Sequence, residues 1–285
     1  MSGKGMSLKA RIRNLAKEKN ISAQALLHIW TFQRFLSRLA ESTYKDCFIL
    51  KGGVLIAAWV GVERRTTMDM DVTIQNMPLI DETILSAICD ICAVDTHDHV
   101  SFVALRAEPI RGDDLYGGCR VFLSARYDAI DIPFAIDIST GDAITPEPRK
   151  SSIQCVLDES HQAEVWAYPI ETVLAEKVET ILSRGIANTR PRDFYDVFIL
   201  TEKQSFDKTL FKKALTATVR HRESTPIIDE MAERISAIEA SRELQVAWDK
   251  YRELFDYAAD ITYGHTITAL KNLCGLEHSA NDSHK

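Results

Sequence analysis

Apolar positions along this chain recur with two different periods, and the change of period divides it. Residues 8–19 carry a short basic amphipathic pattern, after which Asn20 or Ser22 caps a stronger helix over 23–42. Leu26, Ile29, Trp30, Leu36, Leu39 and Ala40 fall near helical spacing there, which predicts a core-facing stripe. Phe48-Ile49-Leu50 reads as a buried strand, followed by Lys51-Gly52-Gly53, a helical segment over 54–60 and a turn at Gly61. Residues 68–74 read as a second strand and 81–94 as a helix. Strands follow at 99–106 and 119–127, joined by a polar link at 111–118, and further strands are expected at 133–139 and 153–157.

Beyond about residue 165 the texture turns helical, with periodic segments at 170–184, 192–201, 207–220, 227–240 and 241–259. Trp248, Tyr251, Leu254, Phe255 and Tyr257 fall at helical spacing and read as core of this half. The polar tail 277–285 is expected to fray. The plan is α+β: a strand-rich lobe with N-terminal helices over 1–165 and a helical lobe over 166–285.

Composition narrows the function classes. The 285 residues are 46% hydrophobic and 26% charged, enough for a real core. No apolar run approaches the roughly 18 residues of a membrane span, and Met1-Ser2-Gly3-Lys4-Gly5 opens no signal-peptide core, so a cytoplasmic location without membrane contact is expected. A net charge of −7 excludes a bulk electrostatic nucleic-acid binder. RNA would need local patches such as Lys9, Arg11, Arg13, Lys17 and Lys19, or Lys177, Arg184, Arg190 and Arg192. Each patch also reads as a solvated helix face. Of six cysteines only Cys89 and Cys92 have metal-like spacing; they sit in a helical stretch with no second pair, and read as reduced packing residues. His97-Asp98-His99 reads as a loop before a strand, and Ser151 and Ser152 lack the glycine elbow of a hydrolase.

The chemistry concentrates in Met68-Asp69-Met70-Asp71-Val72. Side chains alternate along a strand, so Asp69 and Asp71 share one face. Two adjacent carboxylates repel unless a cation sits between them or one is protonated, and hard oxygen ligands suit Mg²⁺. Acidic pairs are also common at strand ends. Asp137, inside the apolar run Phe134-Ala135-Ile136-Asp137-Ile138, is the best third acid, since a charge there needs a partner. Asp131 lies nearer a strand end and Asp142 in the following turn. Gly52-Gly53 removes side chains where the backbone approaches a phosphate, or simply makes a tight strand-to-helix turn. Lys177 and Arg184 share a helix face. Arg192 and Asp196 form an i, i+4 pair, and Asp193 and Asp196 could brace the lobe or act in catalysis.

The order Leu50-Lys51-Gly52-Gly53, Arg65-Thr66-Thr67-Met68-Asp69-Met70-Asp71, Ile136-Asp137-Ile138, Leu174-Ala175-Glu176-Lys177 and Arg192-Asp193-Phe194-Tyr195-Asp196 resembles the AbiEii/AbiGii toxin family of nucleotidyltransferases, which includes the MenT-type toxins. The resemblance spans about residues 45 to 200 and implies a polymerase-β-like core with a mixed sheet and a helical C-terminal lobe, the NTP lying between lobes. It implies two Mg²⁺ ions on Asp69, Asp71 and Asp137, with Lys177 and Asp196 completing the catalytic set. Lys51, Gly52, Gly53, Arg65, Thr67, Lys177, Arg184 and Asp193 would bind the nucleotide. The implied reaction moves a nucleotide from an NTP to an acceptor hydroxyl, foremost a tRNA 3′ end, as the toxin of a toxin–antitoxin or phage-defence system with its antitoxin encoded nearby. A protein or small-molecule hydroxyl, or an inert partner with the same fold, stands as the alternative. Gly53 replaces a frequent Ser, and Arg192 a frequent Lys, which leaves the acids untouched but bears on nucleotide preference.

Overall fold

Ser22 accepts a hydrogen bond from the Ala25 amide and starts the long helix that the first half packs around. The structure, a computed structural model, describes residues 3–110 and 117–276. Most of the expected 111–118 link and the 277–285 tail lie outside them. The chain divides into two units, Met1–Asp142 with Glu147–Pro169, and Ala143–Pro146 with Ile170–Lys285.

The first unit holds α1 (Gly3–Glu18), α2 (Ala23–Glu41), β1 (Phe48–Lys51), α3 (Gly52–Val60), β2 (Met70–Ile74), α4 (Asp81–Ala93), β3 (Val100–Pro109), β4 (Gly118–Tyr127), β5 (Ile130–Thr140), β6 (Arg149–Cys155) and β7 (Asp158–Ala167). The strands form one mixed sheet ordered β3-β4-β5-β2-β1-β7-β6. β2 pairs β5 in parallel and β1 pairs β7 in parallel, while the other neighbours run antiparallel. β4 and β5 alternate strictly. Val121, Leu123, Phe134 and Ile136 point inward and are buried, whereas Arg120, Phe122, Ala135 and Asp137 point outward and are half-exposed. The inner face meets α2, where Phe32 and Phe35 make edge contacts with Phe134, and Phe35 with Phe102. The opposite face is therefore the one with charges to offer.

The second unit is helical: α5 (Ile170–Arg184), α6 (Pro191–Lys203), α7 (Lys208–His221), α8 (Pro226–Asp229), α9 (Met231–Ala240), α10 (Arg242–Leu254) and α11 (Tyr263–Cys274). Pro191 sits in the first turn of α6, where a missing N–H costs nothing. Several sequence expectations need correction. The strand placed at 153–157 begins at Arg149 and pairs with β7, which was not expected. The helix placed at 227–240 breaks between α8 and α9, and that at 241–259 stops at Leu254. Trp248 and Tyr251 are buried core, but Leu254 is 77% exposed. α11 was also missed; a capping box between Thr262 and His265 starts it and Gly275, at φ 75°, ends it.

Candidate active site

The sheet register sets out a row of charges. Lys51 of β1 stands opposite Asp71 of β2, Asp71 opposite Asp137 of β5, and Asp137 opposite Arg120 of β4. Directly paired residues project to the same face, so one row reads cation, acid, acid, cation. Asp69, exposed, lies two positions before Asp71 at the mouth of β2. Two carboxylates side by side in a register repel, and the cations at each end offset part of that cost.

Arg120 was not singled out in the sequence. Its Nε and one terminal nitrogen each donate to a different oxygen of Asp137, both at 2.6 Å. The hydrogen bond to Asp137, then the charges of Asp137, Asp69 and Asp71, push the Arg120 pKa above its ordinary value. All three acids therefore act on this one guanidinium. The partner that Asp137 demanded is present, and in this structure it is an arginine. Arg120 could have been found from the alternation of residues 119–127, which sends it to the polar face.

Lys51 is held at the other end of the row. Its Nζ donates to Ser139 Oγ at 2.8 Å and to Asp142 Oδ2 at 2.6 Å. Tyr168 and Ser139 donate hydroxyl hydrogen bonds to the same Asp142 oxygen. Burial pushes the Asp142 carboxyl up, but the charge and hydrogen bond of Lys51 and the hydroxyls of Tyr168 and Ser139 outweigh it and bring its pKa down to about 2. Asp142 thus anchors Lys51, while Asp131 pairs with Arg126 on an exposed stretch.

Gly52 and Gly53 answer a steric demand. Gly52 has φ +66°, and a Cβ there would come within 2.1 Å of Asp71 Oδ2. A Cβ on Gly53 would come within 2.6 Å of Thr67 Oγ1. The start of α3, whose first amides have no partner within the helix, consequently lies against the Asp71 carboxylate and the turn leading to it. Thr67 is buried; its Oγ1 donates to the Asp69 carbonyl at 3.0 Å and accepts from the Asp69 amide at 3.3 Å. Arg65 is buried too and donates to the Thr66 carbonyl. Both residues shape the turn that presents Asp69.

The second unit brings together Lys177, Asp193 and Asp196. Lys177 Nζ lies 2.6 Å from Asp193 and 3.0 Å from Asp196, and the Asp196 side chain is fully buried. This clamp ties α5 to α6. Arg184 is exposed at the end of α5. The pair expected between Arg192 and Asp196 gives way to Lys177 on one side and a contact of Arg192 with the Phe255 ring at 5.5 Å on the other. His97-Asp98-His99 is the loop expected, and Asp98 takes both terminal nitrogens of the buried Arg38 at 2.9 and 2.7 Å. Cys89 and Cys92 are free thiols on α4. Among the described residues, no group of three His, Cys, Asp or Glu side chains is already disposed as a metal cluster, and no helix is long and apolar enough to cross a membrane.

The chain is similar to a known family and, in fold, to a solved structure. The model of the nucleotidyl transferase AbiEii toxin family, type IV toxin–antitoxin system, matches residues 34–268. The fold resembles that of JHP933 from Helicobacter pylori, with a TM-score of 0.51 at 15% identity over 90% of this chain and 92% of that one. A second H. pylori protein, described as a candidate nucleotidyltransferase, gives a TM-score of 0.47 at 17% identity over 90% of this chain and 100% of that one. No curated protein matches the chain.

Proposed function

The chain belongs to the AbiEii family of nucleotidyl transferase toxins of type IV toxin–antitoxin systems, and from that premise we propose that the row on the open sheet face transfers a nucleotide from an NTP to the 3′ end of a tRNA. The observation that carries the reading is the register: Asp71 directly opposite Asp137, with Asp69 two residues away and the glycine-cleared start of α3 beside them. Helix starts of this kind suit phosphate.

The donor set suits a hard divalent cation, since all three side chains are carboxylates. Asp69, Asp71 and Asp137 would hold two Mg²⁺ ions, which supply charge stabilisation for the displaced pyrophosphate. Arg120 competes with such cations for Asp137, because it takes both oxygens of that carboxylate. Once Arg120 is displaced, an Asp137 oxygen would be free to accept the proton of the attacking hydroxyl. Lys51, held by Asp142 and Ser139, offsets negative charge at the Asp71 end of the row. Within the second unit, Asp193 and Asp196 hold the Lys177 ammonium, and the family resemblance implies a phosphate role for Lys177 and Arg184. Growth arrest would follow from blocked tRNA ends and would be relieved by a cognate antitoxin, in a toxin–antitoxin or phage-defence system.

Each labelled NTP incubated with Mg²⁺ and total tRNA tests the reading. Label should enter tRNA with the wild type and fall by orders of magnitude with Asp69→Ala. Label that enters only added protein would move the acceptor to a protein hydroxyl, and no NTP consumption under any condition would end the proposal.

A further inference from the structure

A second feature of the same open face is not used by the acids. β3 carries a bulge between Ala104 and Arg106. Before it, Val103 pairs with Ser124 and Ala104 with Leu123; after it, Arg106 pairs with Phe122. In an unbroken ladder Leu105 would stand opposite Phe122. The extra residue instead brings Arg106 there, with its guanidinium carbon 3.9 Å from the ring centroid. Bulges beside active sites commonly re-aim one side chain in this way. Glu108 accepts from Arg106 Nε at 2.6 Å, which fixes the guanidinium orientation, yet the Arg106 side chain stays 55% exposed.

Phe122 stands opposite Ala135, and these two lie two positions along their strands from Arg120 and Asp137. Side chains two apart on a strand share a face at roughly 7 Å. A guanidinium stacked on an aromatic ring therefore stands one step from the acid row, with the small Ala135 keeping the ground between them low. A surface salt bridge to Glu108 alone would need neither the bulge nor the ring. Aromatic faces and arginine planes are the surfaces on which proteins lay unpaired nucleobases.

We propose that Arg106 and Phe122 form a nucleobase shelf for the terminal base of the acceptor strand, beside Asp137. The proposal rests on the nucleotidyl-transfer reading of the acid row and deepens it, because it makes the acceptor a nucleic acid with an unpaired end. The base extends the stack as ring, guanidinium, base. The shelf lies on the β3–β4 side of the row, away from the β1–β2 side where the start of α3 is suited to NTP phosphates.

A short single-stranded RNA ending in 2-aminopurine loses fluorescence when that base stacks. With full-length protein carrying Asp69→Asn, so that no transfer intervenes, saturable quenching is expected. Adding Arg106→Lys, which keeps the charge but not the plane, or Phe122→Leu, which keeps apolar bulk but not the ring, should weaken binding about tenfold and abolish the quench, with unchanged thermal unfolding. In otherwise wild-type protein the same two variants should raise the acceptor KM about tenfold and leave the NTP KM alone. Variants that bind and quench like their parent would overturn the shelf, whatever the acid row does. Quenching of 2-aminopurine riboside triphosphate in place of the RNA would overturn its assignment to the acceptor. Quenching of the RNA by a wild type that transfers no nucleotide would sink the transfer reading and leave the shelf standing.

Discussion

Arg120 and Asp137 face each other across the β4–β5 ladder with two nitrogens on two oxygens, so the acid proposed as third ligand begins with both its oxygens engaged. A cation that binds there must displace a bidentate ion pair whose arginine is 43% exposed. Arg120→Ala should therefore tighten divalent binding several-fold and cost less than about 1 kcal/mol of stability, as a partly exposed pair should. Mn²⁺ titration followed by electron paramagnetic resonance measures the first and urea unfolding the second. Unchanged or weaker Mn²⁺ binding would show that Arg120 does not compete for the acid.

Gly52→Ala should be severe. A methyl group would be driven into the Asp71 carboxylate, and the residue would have to keep φ +66°. A cost of at least about 2 kcal/mol and loss of transfer are expected. Gly264→Ala is the matched control in α11, where the nearest side-chain atom is 3.7 Å from the added carbon. It should be neutral or stabilising by up to about 1 kcal/mol. Thermal melts of the two proteins side by side decide the point; equal melts would remove the steric account of Gly52.

Asp142 makes a pH prediction. Its folded-state pKa is depressed from 3.8 to about 2. A depressed acid contributes stability above its unfolded pKa and loses it as pH falls through the folded one. The contribution is therefore complete near neutrality and fades between about pH 4 and pH 2, and should amount to about 2 kcal/mol. Asp142→Asn should be less stable than wild type at pH 7, with the gap closing on acidification through that window. A gap that stayed constant down to pH 2 would place the cost elsewhere.

Lys177→Met leaves two carboxylates on α6 without their shared cation. Asp193 and Asp196 have side chains only 7% and 0% exposed. Removing one partner of a buried ion pair costs about 3 kcal/mol or more. Adding Asp196→Asn to Lys177→Met should recover part of the loss, and urea denaturation of the single and double variants measures it. No recovery would show that Lys177 stabilises by packing its stem and not by its charge.

The sequence exposed much of this architecture because its signals were local. The cap at Ser22, the apolar stripe of α2 and the alternation of residues 119–127 each lie within one element. What escaped depended on partners distant in the chain. β7 opens with Asp158, Ser160 and His161, polar enough to pass for a loop, and becomes a strand by pairing with β6 and β1. α11 was hidden because its capping box uses His265 where Glu or Gln is usual. Asp69, Asp71 and Asp137 stood out as charges beside apolar runs. Arg120 did not, since an arginine on the outward side of a strand looks like any solvated residue until the register places Asp137 opposite it.

The parallel pairing of β2 with β5 joins residues 66 positions apart, as in the bond from Thr73 to the Ser139 carbonyl. Two of the three acids, Asp69 and Asp71, arrive with β2, and the third, Asp137, with β5. During synthesis the first strand must wait for the hairpin of β4 and β5 before its two carboxylates meet the third. On the proposed three-acid site, a nascent chain would stay inactive until β5 has emerged and docked on β2.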